Sequence, residues 1–191
     1  MSRPLAALFA HLSIEERFFQ MKFSLLGILL LAGLSIVSVA QSPLEFDDPD
    51  GFYHVSLPPG WVPITSTDPL GKQQLDLIVY RMRENGALKV RRITVDKSVD
   101  TTDFAKKDEN ERLRFLLAYD PVSVEKFSAS GPATLVSYNF NNAAGQKMTG
   151  RSYYMRANET TIYILNFTGN KNTLGVMRSQ TDSIARSLKG K

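Results

Sequence analysis

The chain has 191 residues, 43% of them hydrophobic, and carries 23 basic against 19 acidic side chains, a net charge of +4. It contains no cysteine, which excludes thiolate zinc sites, thiol nucleophiles and thioredoxin-like redox chemistry. A charge so near balance argues against a dedicated nucleic-acid binder, which would concentrate positive charge far more strongly.

Met21 to Ala40 reads as a secretory signal peptide. Lys22 gives a short positive start, Phe23 to Val37 an almost uninterrupted apolar run, and Ser38-Val39-Ala40 the small residues a signal peptidase accepts, so cleavage falls before Gln41. Residues 1–20 carry Glu15 and Glu16 where such a signal begins with positive charge, so translation is expected to start at Met21. The alternative is an uncleaved anchor, because about 18 apolar residues is near the shortest stretch that spans a bilayer. The polar Gln41-Ser42-Pro43 that follows favours cleavage. On that reading the mature chain is exported, periplasmic or extracellular, and keeps no membrane span. Its length suits one domain with a hydrophobic core.

Gln41 to Gly51, acidic and rich in Pro and Asp, reads as a mobile lead-in, and the single domain occupies 52–191. Phe52 to Leu57 is the first strand. It stops at Pro58-Pro59-Gly60, with Trp61 expected to cover the core edge. Thr65 to Gln74 reads as a loop. Leu75 to Arg83 and Leu88 to Val95 then form a hairpin around Glu84-Asn85-Gly86. A two-residue Asn-Gly turn would set Arg81 beside Val90 and Met82 beside Lys89, mixing the two faces. A three-residue loop with Gly86 in the left-handed position groups Tyr80, Met82, Leu88 and Val90 on one face and Arg81, Arg83, Lys89 and Arg91 on the other. The three-residue loop is the expectation, and it creates a basic strand face.

Thr101 to Ala118 reads as an exposed helix capped by Thr101 or Thr102, with Asp103 in its first turn and apolar weight at Phe104, Leu113, Leu116 and Leu117. Pro121 to Phe127, Ala133 to Phe140, Lys147 to Ala157 and Thr160 to Phe167 read as four strands in a meander. Thr173 to Leu188 spaces Leu174, Met177, Ile184 and Leu188 on one helical stripe, with Thr181 filling the gap, so this helix packs on the sheet.

Catalytic patterns are absent from this sequence. His54 is the one histidine after the signal, so neither a histidine triad nor a paired-histidine metal site can be completed. Asp47-Asp48-Pro49-Asp50-Gly51 resembles a calcium loop but fails on register: with Gly51 in the invariant glycine position, Phe46 and Leu57 fall where carboxylates are required. No metal and no cofactor is therefore expected. The basic face of Arg81, Arg83, Lys89 and Arg91 suits an anionic lipid surface, polysaccharide or acidic protein patch. Its plainer reading is a solvated strand face whose charges discourage edge-to-edge aggregation. Asn158-Glu159-Thr160 and Asn166-Phe167-Thr168 match the glycosylation pattern, although Asn166 falls in an expected strand.

The order of elements resembles the PsbP-like family. Gly51-Phe52 leads a strand into Pro58-Pro59-Gly60-Trp61, followed by a hairpin, a helix opening near Asp103-Phe104, a strand meander and a closing helix. Arg151-Ser152-Tyr153-Tyr154, Ile162-Tyr163-Ile164-Leu165 and Asp182-Ser183-Ile184-Ala185-Arg186-Ser187-Leu188 look like that family's carboxyl-terminal pattern. The resemblance implies an α+β fold, an α/β/α sandwich with a central antiparallel β-sheet, in an exported bacterial member. The family's founding members are extrinsic lumenal subunits of photosystem II that help retain calcium and chloride at the oxygen-evolving centre, and a nuclear relative binds the GTPase Ran. This sequence has a plain secretory signal in place of a bipartite transit region, and no residue of it matches a metal-binding residue of that family.

The expected function is an exported, non-catalytic accessory or binding protein of the cell envelope. It would dock on a protein or envelope partner, and on no nucleic acid, through the basic face or the loops. Two alternatives stand beside it. One is an extrinsic photosystem II-type subunit with calcium linkage; the other is a carboxylate-based glycan hydrolase using two residues among Asp76, Asp96, Asp120 and Glu125.

Overall fold

In a strand, successive side chains point to opposite faces, so a strand apolar at every position needs a covering layer on both sides. Ile162–Leu165 within the strand Thr161–Asn170 is such a run: Tyr163, Leu165 and, further on, Phe167 enter one core cluster, and Ile162 and Ile164 enter a second. Its neighbour Lys147–Asn158 does the same with Tyr153 and Tyr154. These two strands lie at the centre of a sheet sandwiched between two layers.

The computed structural model describes residues 42–97 and 99–191. The proposed signal peptide and the residues before it lie outside the described residues. The strands in chain order are β1 (Leu44–Asp47), β2 (Tyr53–Leu57), β3 (Trp61–Thr67), β4 (Gln73–Tyr80), β5 (Ala87–Thr94), β6 (Asp120–Ser128), β7 (Pro132–Asn141), β8 (Lys147–Asn158), β9 (Thr161–Asn170) and β10 (Lys189–Gly190). The helices are α1 (Thr101–Glu111), α2 (Lys171–Leu174) and α3 (Arg178–Ser187). A seven-stranded antiparallel sheet has the order β3-β4-β5-β9-β8-β7-β6, and β1-β2-β10 form a small sheet of their own. The small sheet and α3 cover one face, where Val55, Leu57, Ile184 and Leu188 meet Tyr163 and Leu165. Helix α1 and a following 3-10 turn, Leu113–Phe115, cover β7 and β8 on the other. The α+β, α/β/α sandwich is therefore present, and the β6 to β9 meander pairs strand by strand as expected.

Several boundaries differ from the sequence reading. Leu44–Asp47 is not mobile lead-in but β1, paired with β2 from Leu44↔Leu57 to Asp47↔His54. Thr65 to Gln74 is not one loop. Thr65, Ser66 and Thr67 extend β3 and pair with Leu75, Gln74 and Gln73, leaving a short turn that Asp68 closes by accepting from the amides of Leu70 and Lys72 at 2.9 Å each. Pro63 is tolerated because β3 is an edge strand.

The hairpin loop is longer than three residues. Strand β4 ends at Tyr80, and the pairing runs Ile78↔Leu88 and Val79↔Ala87. The chain leaves the sheet early because Arg81, at φ 56, turns its amide to the Gly60 carbonyl at 2.8 Å. Gly86 does not take the left-handed position. It is required for space, since a Cβ there would lie 3.3 Å from both Trp61 and Tyr80. The shift from the expected register is an even number of residues, so Tyr80, Leu88 and Val90 still share a face, while Met82 is exposed in the loop.

Helix α1 is capped by Asp100, whose side chain accepts from the Thr102 amide at 2.7 Å, rather than by Thr101 or Thr102. The Thr101 and Thr102 hydroxyls bond Thr134 on β7 instead. The helix stops at Glu111, well short of Ala118, and Thr101, Ala105 and Asp108 are buried, so one side of it belongs to the interior. The closing helix is two pieces, α2 and α3, yet the stripe Leu174, Met177, Thr181, Ile184 and Leu188 is buried throughout. Trp61 lies inside the core, edge-on to Phe167 with ring centroids 5.6 Å apart, and its Nε1–H donates to Gln180 at 3.0 Å.

Candidate functional site

The four residues of the expected basic face separate into three settings. Arg81 lies in the loop with its guanidinium 5.3 Å from the Tyr80 ring centre. Arg91 faces α1 and donates to Asp108 at 3.0 Å, so it serves the fold. Arg83 and Lys89 stay together, lining a shallow cavity of about 250 Å³ with Leu77, Ala87, Asn166 and Thr168. The register places Val62 and Ile64 of β3 beside Val79 and Leu77 on this same face. Val62 and Ile64 are 46% and 45% exposed, next to the small apolar cluster of Leu77, Val79 and Ala87. Helix α1 packs on β7 and β8 and reaches β5 at Arg91, so among the described residues no helix packs closely on β3, β4 and the Ala87–Lys89 end of β5 on this face. The result is an apolar strip with two cations at its rim.

Charged hydrogen bonding to the interior is concentrated at two aspartates that local sequence pattern does not mark, the buried Asp108 and the part-buried Asp182. On one face Asp108 accepts from Arg112 at 3.1 and 2.7 Å, from Arg91, and from the Tyr154 hydroxyl at 2.7 Å. Burial pushes its carboxyl up, but hydrogen bonds from Arg112, Tyr154 and Arg91 and the Arg112 charge outweigh that and hold it below the ordinary range. On the other face Asp182 accepts from Arg151 at 2.7 Å and from the Tyr153 hydroxyl at 2.5 Å. Burial, with the Asp182 hydrogen bond, pushes the Tyr153 hydroxyl far up, and burial beside the Asp108 charge does the same for Tyr154. Both tyrosines are therefore protonated donors at neutral pH.

A second and larger cavity, of about 640 Å³, lies where β8 turns into β9 and β10 closes over the sheet. Tyr163, Met155 and Leu188 contribute apolar surface to it. Arg92, Lys97, Lys189 and Lys191 are among its lining residues, against one carboxylate, Glu159. A third cavity of about 240 Å³ adjoins it and shares Arg92 and Tyr163. Its own lining includes Asp48, Asp50, Phe52, Tyr53 and Gln74. The Arg92 guanidinium stands 4.8 Å from the Phe52 ring centre between the two.

The carboxylates considered for hydrolysis do not converge. At about 4.8 Å per strand, Asp76 on β4 is roughly 24 Å from β6, which carries Asp120 and Glu125. Asp120 and Glu125 are themselves about 16 Å apart along their strand, and Asp96 lies roughly 20 Å beyond the part of β5 that faces Asp76. No pair of the four reaches the separation of roughly 5 to 10 Å that glycoside hydrolysis requires. The calcium-like loop also disperses. Asp47 meets His54 and Lys191, Asp48 accepts from the Phe52 amide, and Asp50 pairs with Lys72. His54 is held between Glu45 and Asp47 on β1. Among the described residues there is no group of three metal-ligating side chains, and no helix long and apolar enough to cross a membrane.

No protein-family model matches the chain, and no curated protein matches it by sequence. Solved structures do. LpqN, involved in cell envelope biogenesis of Mycobacterium tuberculosis, aligns with a TM-score of 0.52 at 10% identity, over 78% of this chain and 90% of that one. A protein of Bacteroides thetaiotaomicron gives 0.52 at 12% identity, over 79% of this chain and 49% of that one. The cyanobacterial PsbP of Synechocystis, CyanoP, gives 0.51 at 13% identity, over 83% of this chain and 98% of that one. At such identities the likeness is one of fold, and the fold is PsbP-like.

Proposed function

We propose that the chain is an exported accessory protein of the cell envelope, an outlying bacterial member of the PsbP-like family, that acts by docking a protein partner and not by catalysis. The observation that carries this reading is the uncovered half of the sheet, where Val62 and Ile64 are exposed beside Leu77, Val79 and Ala87 and rimmed by Arg83 and Lys89. A surface with an apolar centre and a charged rim is the usual anatomy of a protein interface. The two cations select a partner that presents apolar side chains ringed by carboxylates. The envelope setting is supported by the signal-like Met21 to Ala40 and by the fold shared with LpqN.

Two measurements test it. Mass spectrometry of the periplasmic or secreted protein is expected to give a chain beginning at Gln41, and a product found only in the cytoplasm would end the export reading. Cross-linking in the envelope fraction, with Arg83→Glu plus Lys89→Glu against Arg81→Glu, is expected to lower recovery of the specific partner about tenfold or more in the double variant alone. Equal recovery from both would remove this face from the function.

A further inference from the structure

The two adjoining cavities lie on the opposite face of the seven-stranded sheet from the docking strip. Arg92 pairs across with Tyr163, and Tyr163 with Met155, so the three side chains form one row on the face that holds the larger core. Arg92 and Tyr163 line both cavities, and Met155 lines the larger one.

The electrostatics of the two cavities are opposite. The larger cleft has lysines at its margin, two of them already engaged: Lys97 lies 2.7 Å from Glu159 and Lys191 2.5 Å from Asp47. Arg92 has no carboxylate at ion-pair distance among the described residues and stacks over Phe52. A guanidinium stacked on a ring keeps its in-plane N–H groups for an oxyanion. The smaller cavity is lined instead by Asp48, Asp50 and Gln74, groups that accept from hydroxyls and would repel an anion. Burial raises the Asp48 carboxyl, its largest influence, which fits a group half withdrawn from water.

A second, independent feature lies in the same small cavity. Tyr53 is 5% exposed, and its hydroxyl has no hydrogen-bond partner among the described residues. A buried hydroxyl without a partner leaves its desolvation cost uncompensated, so Tyr53 in a cavity wall calls for a ligand group or water that meets it. The neighbouring Tyr163 hydroxyl does not meet it and donates instead to the Phe52 carbonyl at 2.6 Å. Gly190 lets β10 lie close against this row: a Cβ there would lie 2.9 Å from the Tyr163 ring.

The geometry points to a binding site for an acidic saccharide, whose phosphate or carboxylate meets Arg92 in the larger cleft while its hydroxyls enter the smaller cavity against Tyr53, Asp48 and Gln74. Phe52 and Tyr163 supply ring surface beside it. The volumes suit a sugar of one or two rings, within the range of ordinary small-molecule sites. This site is independent of the docking reading, because no residue of one belongs to the other.

The test is titration of the full chain, followed by amide chemical shifts and calorimetry, with glucose 1-phosphate, galacturonate, glucose and inorganic phosphate. At least one acidic sugar is expected to saturate below about 10 mM with shifts at Phe52, Tyr53 and Tyr163, and to bind about tenfold better than glucose or bare phosphate. Which acidic sugar wins decides between phosphate and carboxylate. Arg92→Gln is expected to weaken it about tenfold, Tyr53→Phe about threefold to fivefold, and Arg83→Gln not at all. Arg92→Lys, which keeps the charge without the planar fork, should fall between. Equal affinity for glucose, equal affinity for inorganic phosphate, no saturation by any of the four, or indifference to both Arg92→Gln and Tyr53→Phe in folded protein would each overturn the proposal.

Discussion

Tyr153 and Tyr154 are neighbours in sequence, yet their hydroxyls go to opposite faces of the sheet and each meets a helix aspartate, Asp182 at 2.5 Å on α3 and Asp108 at 2.7 Å on α1. The two contacts look alike and do different work. Helix α3 buries Ile184 and Ala185 in the large cluster that also holds Trp61, Phe167 and Leu188, so apolar burial holds it down and Asp182 mainly fixes its position. Helix α1 buries Thr101, Ala105 and Asp108. Of its apolar side chains Ala105 alone is fully buried, with Phe104 packed part-buried against Tyr154, so its attachment leans more on the hydrogen bonds that Asp108 accepts from strand and helix. One face is held by the hydrophobic effect and located by a polar contact; the other is held in large part by the polar contact itself.

The largest expected difference follows from removing each charge. Asp108 is 10% exposed and, when neutralised, takes the shared charge partner from two arginines and from the buried Tyr154 hydroxyl, whereas Asp182 is 25% exposed and leaves Arg151 and Tyr153 bonded to each other. Asp108→Asn is expected to cost about 3 kcal/mol in urea unfolding, near the lower end for breaking a buried pair. Asp182→Asn should cost about 1 to 2 kcal/mol, in the range of a partly exposed charged hydrogen bond. Equal costs would mean that the two helices are held in the same way.

The pH dependence sharpens the same contrast. The Asp108 carboxyl titrates below its unfolded value of about 3.9, so its contribution is complete above that pH and is lost as pH falls through the lower folded value. The stability gap between wild type and Asp108→Asn is therefore expected to stay constant from pH 7 to about 5 and to close below about 4. A gap that widened on acidification would contradict the assigned direction. At neutral pH, Tyr154→Phe should cost about 1.5 to 2 kcal/mol and Tyr153→Phe about 1, since the Arg151 to Asp182 pair survives loss of the Tyr153 hydroxyl.

How far the chain announces these features depends on how local their causes are. The stripe from Leu174 to Leu188 and the doubly apolar runs of β8 and β9 are legible because periodicity is a local property. The polar end of β3 is not, because Thr65-Ser66-Thr67 on an edge strand needs no apolar alternation. The hairpin's loop length is not legible for another reason: its early exit is set by the Gly60 carbonyl, which lies outside the hairpin. Asp108 reads as one more polar residue in a helix, since its partners Arg91 and Tyr154 are 17 and 46 positions away. Of the basic face, Arg83 and Lys89 were legible, but the apolar strip beside them was hidden in the unassigned strand. Arg92 is not marked by the basic pattern because it lies on the other face of β5 from Lys89 and Arg91.

The smallest expected effect separates the covered and uncovered halves of the α1-side face. Lys89 and Arg91 are two residues apart on β5 and point the same way, but Arg91 reaches Asp108 under the helix while Lys89 borders the open cavity. Arg91→Gln removes one of several donors to a buried carboxylate and should destabilise by about 1 kcal/mol. Lys89→Gln should change stability by less than about 0.5 kcal/mol, as surface substitutions do, and its effect should appear only as weaker partner recovery. Two cations of the same strand face would then be assigned by their consequences, one to holding the helix and one to the surface the helix leaves bare. Should Lys89→Gln destabilise as much as Arg91→Gln, that half of the sheet is structural surface, and the docking reading loses its rim.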